Sequence, residues 1–331
     1  MLRDRYFRKH DYLRISLTDK CNLRCRYCMP PDGVDLLAHD EVLRNEEFVR
    51  LTGIFASLGV KKIRYTGGEP LLRKGFIDIV AKTRERFPLL ELCLTTNGTL
   101  LREHLPSLAK HGMKKINISL DTLSRERYQA ISGADCLANV LDAIDAAMGM
   151  GSFEIKINAV LFRETIKELD DLLEYVKDRD ATLRFIERMP FTDEDETQSF
   201  LPCEGLLDAL SQRGSLKRNL NTDTNVALMY DFLYREKHRI RIGIIPPISK
   251  KFCAACNRLR LTAAGFLKTC LYSSQDLDLK KQLREGKDDE FIAQSIITEV
   301  GKKHESHGLD CEHYEKGCSS ISAQSMSKIG G

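Results

Sequence analysis

Short apolar runs alternate with longer amphipathic stretches through the first 190 residues of the chain. The apolar runs are rich in Ile, Leu, Val and Thr, which is typical of half-buried or fully buried strands. The predicted strands cover residues 13–18, 62–66, 92–96, 115–120, 153–161 and 182–187. In the stretches between them, apolar side chains recur on one helical face. The predicted helices cover residues 41–58, 74–87, 100–111, 136–150 and 165–178.

This β-then-α repetition predicts parallel strands joined by right-handed crossovers. An open six-unit barrel and a doubly wound sheet both fit the repetition. The ends of successive strands carry unusual residues, which a barrel would gather at one mouth. These residues are Cys21 to Cys28, Gly67-Gly68-Glu69-Pro70, Asn97-Gly98, Asp121 and Met189-Pro190. Gly, Asn, Asp and Pro also form ordinary turns, but the cysteines among them favour the barrel.

The pattern changes after residue 190, where a polar, acidic loop begins. Residues 203–213 and 276–300 read as helices, and residues 240–272 read as short strands and turns. We therefore predict an α/β protein with two parts. An incomplete (β/α)6 TIM-type barrel of parallel strands spans residues 1–190, and a C-terminal extension spans residues 191–331.

Composition narrows the function classes. The 331 residues are 42% hydrophobic and 30% charged, as in a globular protein. A net charge of +3 does not suggest nucleic-acid coating. The lack of Trp and the 7% aromatic content argue against a stacking platform for single strands. No apolar run reaches the roughly 18 residues of a membrane span, and the start MLRDRYFRKHDY has no secretory apolar core. We expect a cytoplasmic protein with neither nucleic-acid nor membrane partners.

Six of the eleven cysteines form two tight triplets. Clustered thiols in a reducing compartment indicate metal or iron–sulfur ligation. The first triplet, Cys21, Cys25 and Cys28, has the spacing C-x3-C-x2-C. Three thiolates on a four-iron cluster leave one iron without a protein ligand, which is the open position that a catalytic metal site keeps. Zinc remains open, since a distant His could complete a zinc site.

The second triplet, Cys253, Cys256 and Cys270, has the spacing C-x2-C-x13-C. By itself it could be half of a zinc ribbon, with His238 as a fourth ligand. Arg258 and Arg260 follow directly. As alternate residues of an extended segment they point the same way, and two guanidinium groups on one side form a natural phosphate clamp.

The first triplet with its Tyr27, together with Gly67-Gly68-Glu69-Pro70, resembles the radical S-adenosylmethionine superfamily. Further segments make the chain similar to the GTP 3′,8-cyclase family, which begins the synthesis of the molybdenum cofactor (molybdopterin). In chain order, the matching segments are DYLRISLTDKCNLRCRYCMP, KKIRYTGGEPLL, LTTNG, INISLD, RFIERMP, FCAACNRLRLT and the terminal Gly-Gly.

This resemblance implies two [4Fe-4S] clusters, each with one open iron, and S-adenosyl-L-methionine as cofactor. Cys21, Cys25 and Cys28 would hold the first cluster, and Cys253, Cys256 and Cys270 the second. The implied contacts to S-adenosylmethionine are Tyr27, Gly68, Ser119 and Met189. The implied contacts to GTP are Arg14, Arg64, Thr95, Lys156, Arg258, Leu259 and Arg260. The implied catalytic residues are Arg258, Arg260, Gly330 and Gly331, with the terminal glycines threaded into the active site.

The implied reaction is a radical cyclisation. A 5′-deoxyadenosyl radical takes hydrogen from C3′ of GTP, and the new carbon radical attacks C8 of the guanine. The product is (8S)-3′,8-cyclo-7,8-dihydroguanosine 5′-triphosphate, which cyclic pyranopterin monophosphate synthase would consume. The sequence identifies no electron donor, and it allows a monomer or a homodimer. A radical enzyme for peptide modification or for another cofactor, and a non-catalytic zinc protein, are the alternatives.

Three residues depart from the family pattern. Cys311 and Cys318 lie in a tail that is usually basic, and we expect them to be incidental thiols. Arg188 stands where the segment RFIERMP usually has an apolar residue, and the sequence gives no account of it.

Overall fold

Parallel strands and helices alternate along the chain as the sequence pattern predicts. The computed structural model describes residues 1–29, 33–189, 200–221, 226–273, 276–307 and 326–329. The strands are β1 (Tyr12–Ser16), β2 (Lys62–Thr66), β3 (Glu91–Thr96), β4 (Lys115–Ser119), β5 (Glu154–Leu161), β6 (Ala181–Glu187), β7 (Gly214–Arg218), β8 (Leu228–Tyr234), β9 (His238–Ile245), β10 (Arg258–Leu261), β11 (Phe266–Lys268) and β12 (Leu277–Asp278). The helices are α1 (Asn45–Ser57), α2 (Phe76–Arg86), α3 (Leu101–Lys110), α4 (Arg125–Ser132), α5 (Leu137–Gly149), α6 (Leu169–Val176), α7 (Cys203–Ser211), α8 (Leu279–Arg284) and α9 (Asp289–Gly301), and Met326–Ile329 forms a short helical turn.

The strands form a single sheet with the order β12-β11-β10-β1-β2-β3-β4-β5-β6-β9-β8-β7. β1 to β6 are parallel neighbours in chain order. A doubly wound sheet would reverse its strand order at a switch point, and this sheet does not. The predicted barrel is therefore confirmed. It is not closed, because β12 and β7 stand at the two ends of the strand order.

Strands that follow residue 190 continue the sheet at both of its ends. β10 pairs in parallel with β1, and β9 pairs in parallel with β6. Beyond them, β11 and β8 add antiparallel strands. The last third of the chain thus extends the wall of the barrel on both sides.

Alternation along β1 and its neighbours separates the core from the interior of the barrel. Leu13 and Ile15 are fully buried in the hydrophobic core, as is Leu259 on β10. Because successive side chains point to opposite faces of a sheet, Tyr12 and Arg14 point to the other face. That face is the interior of the barrel, and its side chains are polar.

One prediction for the extension needs correction, and two strands were missed. The single helix predicted for residues 276–300 is wrong, since α8 and α9 are separate helices. Gly286 between them has a φ of 76°, which favours glycine. Asp288 then starts α9, because its side chain accepts a hydrogen bond from the backbone N–H of Phe291 at 2.8 Å. The antiparallel strands β7 and β8 were not predicted.

Among the described residues, no helix combines the length and the hydrophobicity that a membrane crossing requires.

Candidate active site

The interior face of the barrel encloses a cavity of about 480 Å³. Side chains from β1 to β6 and from β10 line it, and both cysteine triplets contribute to its wall. A volume of this size fits the usual range for a small-molecule site, roughly 300–1,000 Å³.

The first triplet lies at the carboxyl end of the parallel strands, because Cys21, Cys25 and Cys28 follow β1. Burial raises the pKa of the Cys25 thiol to about 12, and the charges of Asp121 and Cys21 add to this effect. Burial also raises the pKa of Cys28, with a further contribution from Cys25. Thiolates crowded together here need a compensating cation. A metal centre would supply it.

The second triplet lies at the opposite end of the strands. Cys253 and Cys256 precede β10, whose first residue pairs with Tyr12 at the start of β1. β11 runs antiparallel to β10, so that Cys270, which follows β11, returns to the same end. The cavity therefore connects two groups of three thiols, one at each mouth of the barrel.

The donor set of the triplets fits an iron–sulfur centre. Each triplet offers three thiols to the same cavity, and thiolates are the ligands that hold four-iron clusters. Among the described residues, the one group of three or more metal-ligand side chains with all donor atoms within 4.8 Å of one another is Glu187, Cys203 and Glu204.

The possible fourth zinc ligand has another partner. His238 starts β9, and its Nδ1 lies 3.2 Å from Asp178 Oδ1. His238 does not line the cavity that both triplets line.

Glu187, in the compact group, has a structural task. Its carboxylate accepts hydrogen bonds from the backbone N–H groups of Cys203 at 2.7 Å, Ile248 at 3.1 Å and Ser249 at 3.0 Å. These bonds connect the end of β6 to the start of α7 and to the segment after β9.

Basic side chains form a row across three adjacent strands. Strand register places Arg260 beside Arg14, and Arg14 beside Arg64. One step towards the second triplet, Arg258 and Lys62 flank Tyr12 in the same way. All six side chains line the cavity. Such a convergence of cations is an anion site.

The pKa values reflect this positive potential. Burial alone would raise the pKa of Tyr12, but Arg64, Arg14, Arg258 and Lys62 outweigh it and lower that pKa to about 7. Burial, with the neighbouring charge of Arg258, lowers the pKa of Arg260 to about 10. The Tyr12 hydroxyl accepts a hydrogen bond from Arg64 Nε at 2.7 Å. The cavity is therefore prepared for a strongly negative ligand.

The loop after β2 packs tightly against the loop after β1. A Cβ on Gly68 would lie 2.3 Å from the backbone oxygen of Lys20, and the Gly68 N–H donates to Thr18 O at 2.7 Å. Next to it, Glu69 accepts hydrogen bonds from the backbone N–H groups of Leu71 at 3.1 Å and Asn97 at 2.7 Å. The glycine is needed for close approach, and Glu69 connects the ends of β2 and β3.

The remaining predicted S-adenosylmethionine contacts also line the cavity, near the first triplet. Tyr27 donates its hydroxyl hydrogen to Asp121 Oδ2 at 2.9 Å, and Asp121 Oδ1 accepts from Val160 N at 2.7 Å. Ser119 ends β4, and Met189 follows β6. Together with Gly68 after β2, these residues come from four different strand ends and meet at one mouth.

Of the predicted GTP contacts, six line the cavity and one does not. The lining residues are Arg14, Arg64, Thr95, Lys156, Arg258 and Arg260. Leu259 is fully buried in the core and is absent from the cavity wall, because it alternates with Arg258 and Arg260 on β10. Gly330 and Gly331 lie outside the described residues, as do Cys311 and Cys318.

Sequence reasoning missed several lining residues. Arg184 on β6 donates to Asn158 Oδ1 on β5, at 3.0 Å from Nε and 2.8 Å from Nη2. Arg188, which the sequence left unexplained, lies with its guanidinium 5.8 Å from the ring centroid of Phe162 and lines the cavity. A signal for Asn158 was present in the sequence, because it lies two residues after the predicted Lys156 and alternate residues of a strand face the same side.

Comparisons with known proteins agree with this geometry. The Radical SAM superfamily model matches residues 15–176, and the Molybdenum Cofactor Synthesis C model matches residues 181–309. The crystal structure of Streptococcus suis SuiB matches with a TM-score of 0.65 and 14% identity, over 91% of this chain and 67% of that chain. SuiB bound to S-adenosylmethionine matches with a TM-score of 0.62 and 14% identity, over 88% of this chain and 68% of that chain. At this identity the likeness concerns the fold alone. The fold and the first triplet define a radical S-adenosylmethionine protein.

Relatives identify the family within that class. The chain is 38% identical to the GTP 3′,8-cyclase of Peptoclostridium acidaminophilum, over 100% of this chain and 98% of the relative. It is 39% identical to the GTP 3′,8-cyclase of Rhodopirellula baltica, over 94% and 88%, and 38% identical to the mitochondrial GTP 3′,8-cyclase of Arabidopsis thaliana, over 93% and 79%. The chain belongs to the GTP 3′,8-cyclase family of molybdenum cofactor biosynthesis.

Proposed function

We propose that this chain converts GTP into (8S)-3′,8-cyclo-7,8-dihydroguanosine 5′-triphosphate, with Cys21, Cys25 and Cys28 holding one [4Fe-4S] cluster and Cys253, Cys256 and Cys270 holding a second. One observation carries the proposal: a single basic cavity connects two thiol triplets at opposite mouths of the barrel. When bound, the first cluster and S-adenosylmethionine supply a 5′-deoxyadenosyl radical. Membership of the family supports the reaction.

The first mouth suits S-adenosylmethionine. The Gly68 backbone provides close access, and the hydrogen bond to Asp121 fixes the orientation of Tyr27. Ser119 and Met189 complete the set of proposed contacts. These groups would hold the ligand beside the first triplet and exclude water from its sulfonium.

The row of cations between the mouths suits the triphosphate of GTP. A triphosphate carries about four negative charges, and charge-assisted hydrogen bonds to phosphate are strong and directional. Strand register places three of these cations side by side, namely Arg14, Arg64 and Arg260. Arg258 lies two residues before Arg260 on β10, closer to the second triplet. We assign Thr95 and Lys156 to the same substrate, and Arg184 joins them. The second cluster would then face the guanine base.

Positioning is the main task of these residues. Hydrogen abstraction from one ribose carbon requires near-attack geometry, and a displacement of about 1 Å costs much of the rate. The rigid strands β1, β2 and β10 carry the basic row, so that the triphosphate fixes the ribose relative to the first mouth. Gly330 and Gly331 remain proposed catalytic residues on the resemblance alone.

The proposal also includes a division of the chain, a cellular location and a consumer of the product. We divide the chain into a radical core over residues 1–190 and an extension over residues 191–331. We place the reaction in the cytoplasm, where six thiols stay reduced, and we expect a cyclic pyranopterin monophosphate synthase to consume the product.

The proposal is tested by anaerobic incubation of reconstituted protein with S-adenosylmethionine, dithionite and each nucleoside triphosphate in turn. We expect 5′-deoxyadenosine together with cyclised nucleotide for GTP, and no cyclised product for ATP, CTP or UTP. The matched control is the protein with Cys21, Cys25 and Cys28 changed to Ala. Equal turnover with every triphosphate, or none with GTP, would contradict the proposal.

A further inference from the structure

A buried lysine lies against the second triplet. Lys303 follows α9, and it is only 3% exposed. Its ammonium nitrogen lies 3.8 Å from Cys256 Sγ and donates to the backbone oxygen of Arg258 at 2.9 Å. A buried ammonium group is costly unless negative charge compensates it.

Asp4, the carboxylate whose charge acts on Lys303, is already engaged by other groups. Asp4 Oδ2 accepts from Arg8 Nε at 2.5 Å and lies 3.0 Å from His10 Nε2. Asp4 Oδ1 accepts from the backbone N–H groups of Tyr6 and Arg8, at 2.9 Å and 3.1 Å. Arg8 therefore balances the charge of Asp4. The charge of Lys303 is left facing the cysteine sulfurs.

Two further groups close to Lys303 are basic. Burial and the charge of Lys303 lower the pKa of His10 to about 4, so that His10 is neutral near pH 7. Arg8 donates to the backbone oxygen of Cys253 at 2.9 Å and to that of His304 at 2.5 Å. Arg8 thus connects the loop of the second triplet to the segment that carries Lys303. This contact fixes the ammonium group relative to the sulfurs.

We propose that the charge of Lys303, acting through the Cys256 sulfur, sets the reduction potential of the second cluster. An ammonium group beside a ligand sulfur stabilises the reduced, more negative state of a cluster and so raises its potential. Hydrogen bonds to the sulfurs and local charge are the means by which a protein tunes such centres. This inference rests on the proposed function, because it requires the cluster that we assign to Cys253, Cys256 and Cys270.

A purely structural role for Lys303 makes a different prediction. Lys303 could simply connect the end of α9 to β10 through the Arg258 carbonyl. Lys303→Gln removes the charge and keeps a donor for that carbonyl. Lys303→Arg keeps the charge. Lys302, the neighbouring residue, is exposed and pairs with Glu299 at 3.1 Å. Lys302→Gln therefore removes an equal charge without touching the sulfurs.

The experiment uses the full chain with Cys21, Cys25 and Cys28 changed to Ala, so that the second cluster alone is observed. Anaerobic potentiometric titration, followed by electron paramagnetic resonance, gives its potential. We expect Lys303→Gln to lower the ratio of reduced to oxidised cluster at a fixed potential by at least tenfold. For one electron that ratio corresponds to about 59 mV. Lys303→Arg and Lys302→Gln should stay close to the parent value.

Each outcome decides the matter. An unchanged potential in Lys303→Gln, with about four irons still bound, overturns the tuning role of Lys303 and leaves the proposed function standing. Loss of iron or of the fold in Lys303→Gln also overturns it, because Lys303 would then serve the structure. A parent triple variant that binds no iron would instead refute the second cluster and, with it, the proposed function.

Discussion

At the scale of single residues, the interior of the barrel brings buried like charges close together on adjacent strands. Arg14 and Arg260 are neighbours on adjacent strands, and both are more than 90% buried. Burial, and then the charge of Arg260, lowers the pKa of Arg14. Stability alone would not favour such a row. The presence of this row of cations therefore indicates that the cavity binds an anionic ligand.

Tyr12 reports on this potential and yields a pH prediction. The pKa of Tyr12 is about 7 because four cations surround it. A bound triphosphate offsets those cations and raises that pKa, so that binding takes up a proton. GTP affinity should therefore fall as pH rises above about 7. Calorimetry in buffers of different ionisation enthalpy measures the proton uptake.

Tyr12→Phe is the matched variant for this measurement. It should bind GTP with a flatter pH dependence above about pH 7 and with less proton uptake. Equal proton uptake by the parent and by Tyr12→Phe would assign the titration to another group.

At the scale of elements, hydrophobic periodicity in the sequence predicted the strands and helices whose buried side chains recur at regular spacing. The six parallel strands and all but one of the α-helices between them were found because their burial is regular. The helix α4 was missed although Ser124 Oγ accepts from Arg127 N at 3.3 Å and Gly133 ends the helix with a φ of 74°. Its apolar face is short, with Tyr128 and Ile131 as its buried apolar residues. Signals of helix ends were present, but hydrophobic periodicity was weak.

The candidate site was likewise predicted from the sequence only in part. Cysteine spacing and the resemblance supplied both triplets and ten further cavity residues. The common level of Arg260, Arg14 and Arg64 could not be predicted, because strand register between β10 and β1 depends on tertiary pairing. Leu259 was predicted to contact GTP, but only its neighbours on β10 line the cavity. Its own side chain lies in the core.

The contact between the loops after β1 and β2 yields a prediction for Gly68. A methyl group on Gly68 would lie 2.3 Å from the backbone oxygen of Lys20. Gly68→Ala should therefore displace the loop and weaken S-adenosylmethionine binding by about tenfold or more, as about 1.4 kcal/mol of strain would. Equilibrium binding to reconstituted protein measures the loss.

Gly149→Ala is the control for this substitution. Gly149 ends α5, and no heavy atom lies within 4 Å of a Cβ added there. The Gly149→Ala variant should bind S-adenosylmethionine as tightly as the parent protein does. Parent-like binding by Gly68→Ala would refute the assigned role of this loop.

At the scale of the whole molecule, the two triplets sit at opposite mouths of one cavity and should be separable by substitution. Reconstituted parent protein should hold about eight irons and eight sulfides, as two four-iron clusters require. Changing Cys253, Cys256 and Cys270 to Ala should leave about four irons. It should also abolish cyclisation and retain some cleavage of S-adenosylmethionine. Iron and sulfide analysis, with assays for both products, measures these effects.

Cys136→Ala is the control for cysteine removal, because Cys136 precedes α5 and does not line the cavity. It should keep about eight irons. Full cyclisation without the second triplet would contradict its assigned role.

The pairing of β10 with β1 also constrains how the chain can be made. Asn257 donates to Asp11 Oδ1 at 2.7 Å across 246 positions of sequence, beside the start of both strands. Contacts this distant raise the contact order and slow folding. On the ribosome, the edge of β1 stays unpaired on that side until the segment of β10 has emerged. An unpaired edge invites intermolecular association. Nascent chains that end near residue 190 should therefore depend on chaperones, and late assembly of the barrel wall should limit the yield of folded protein.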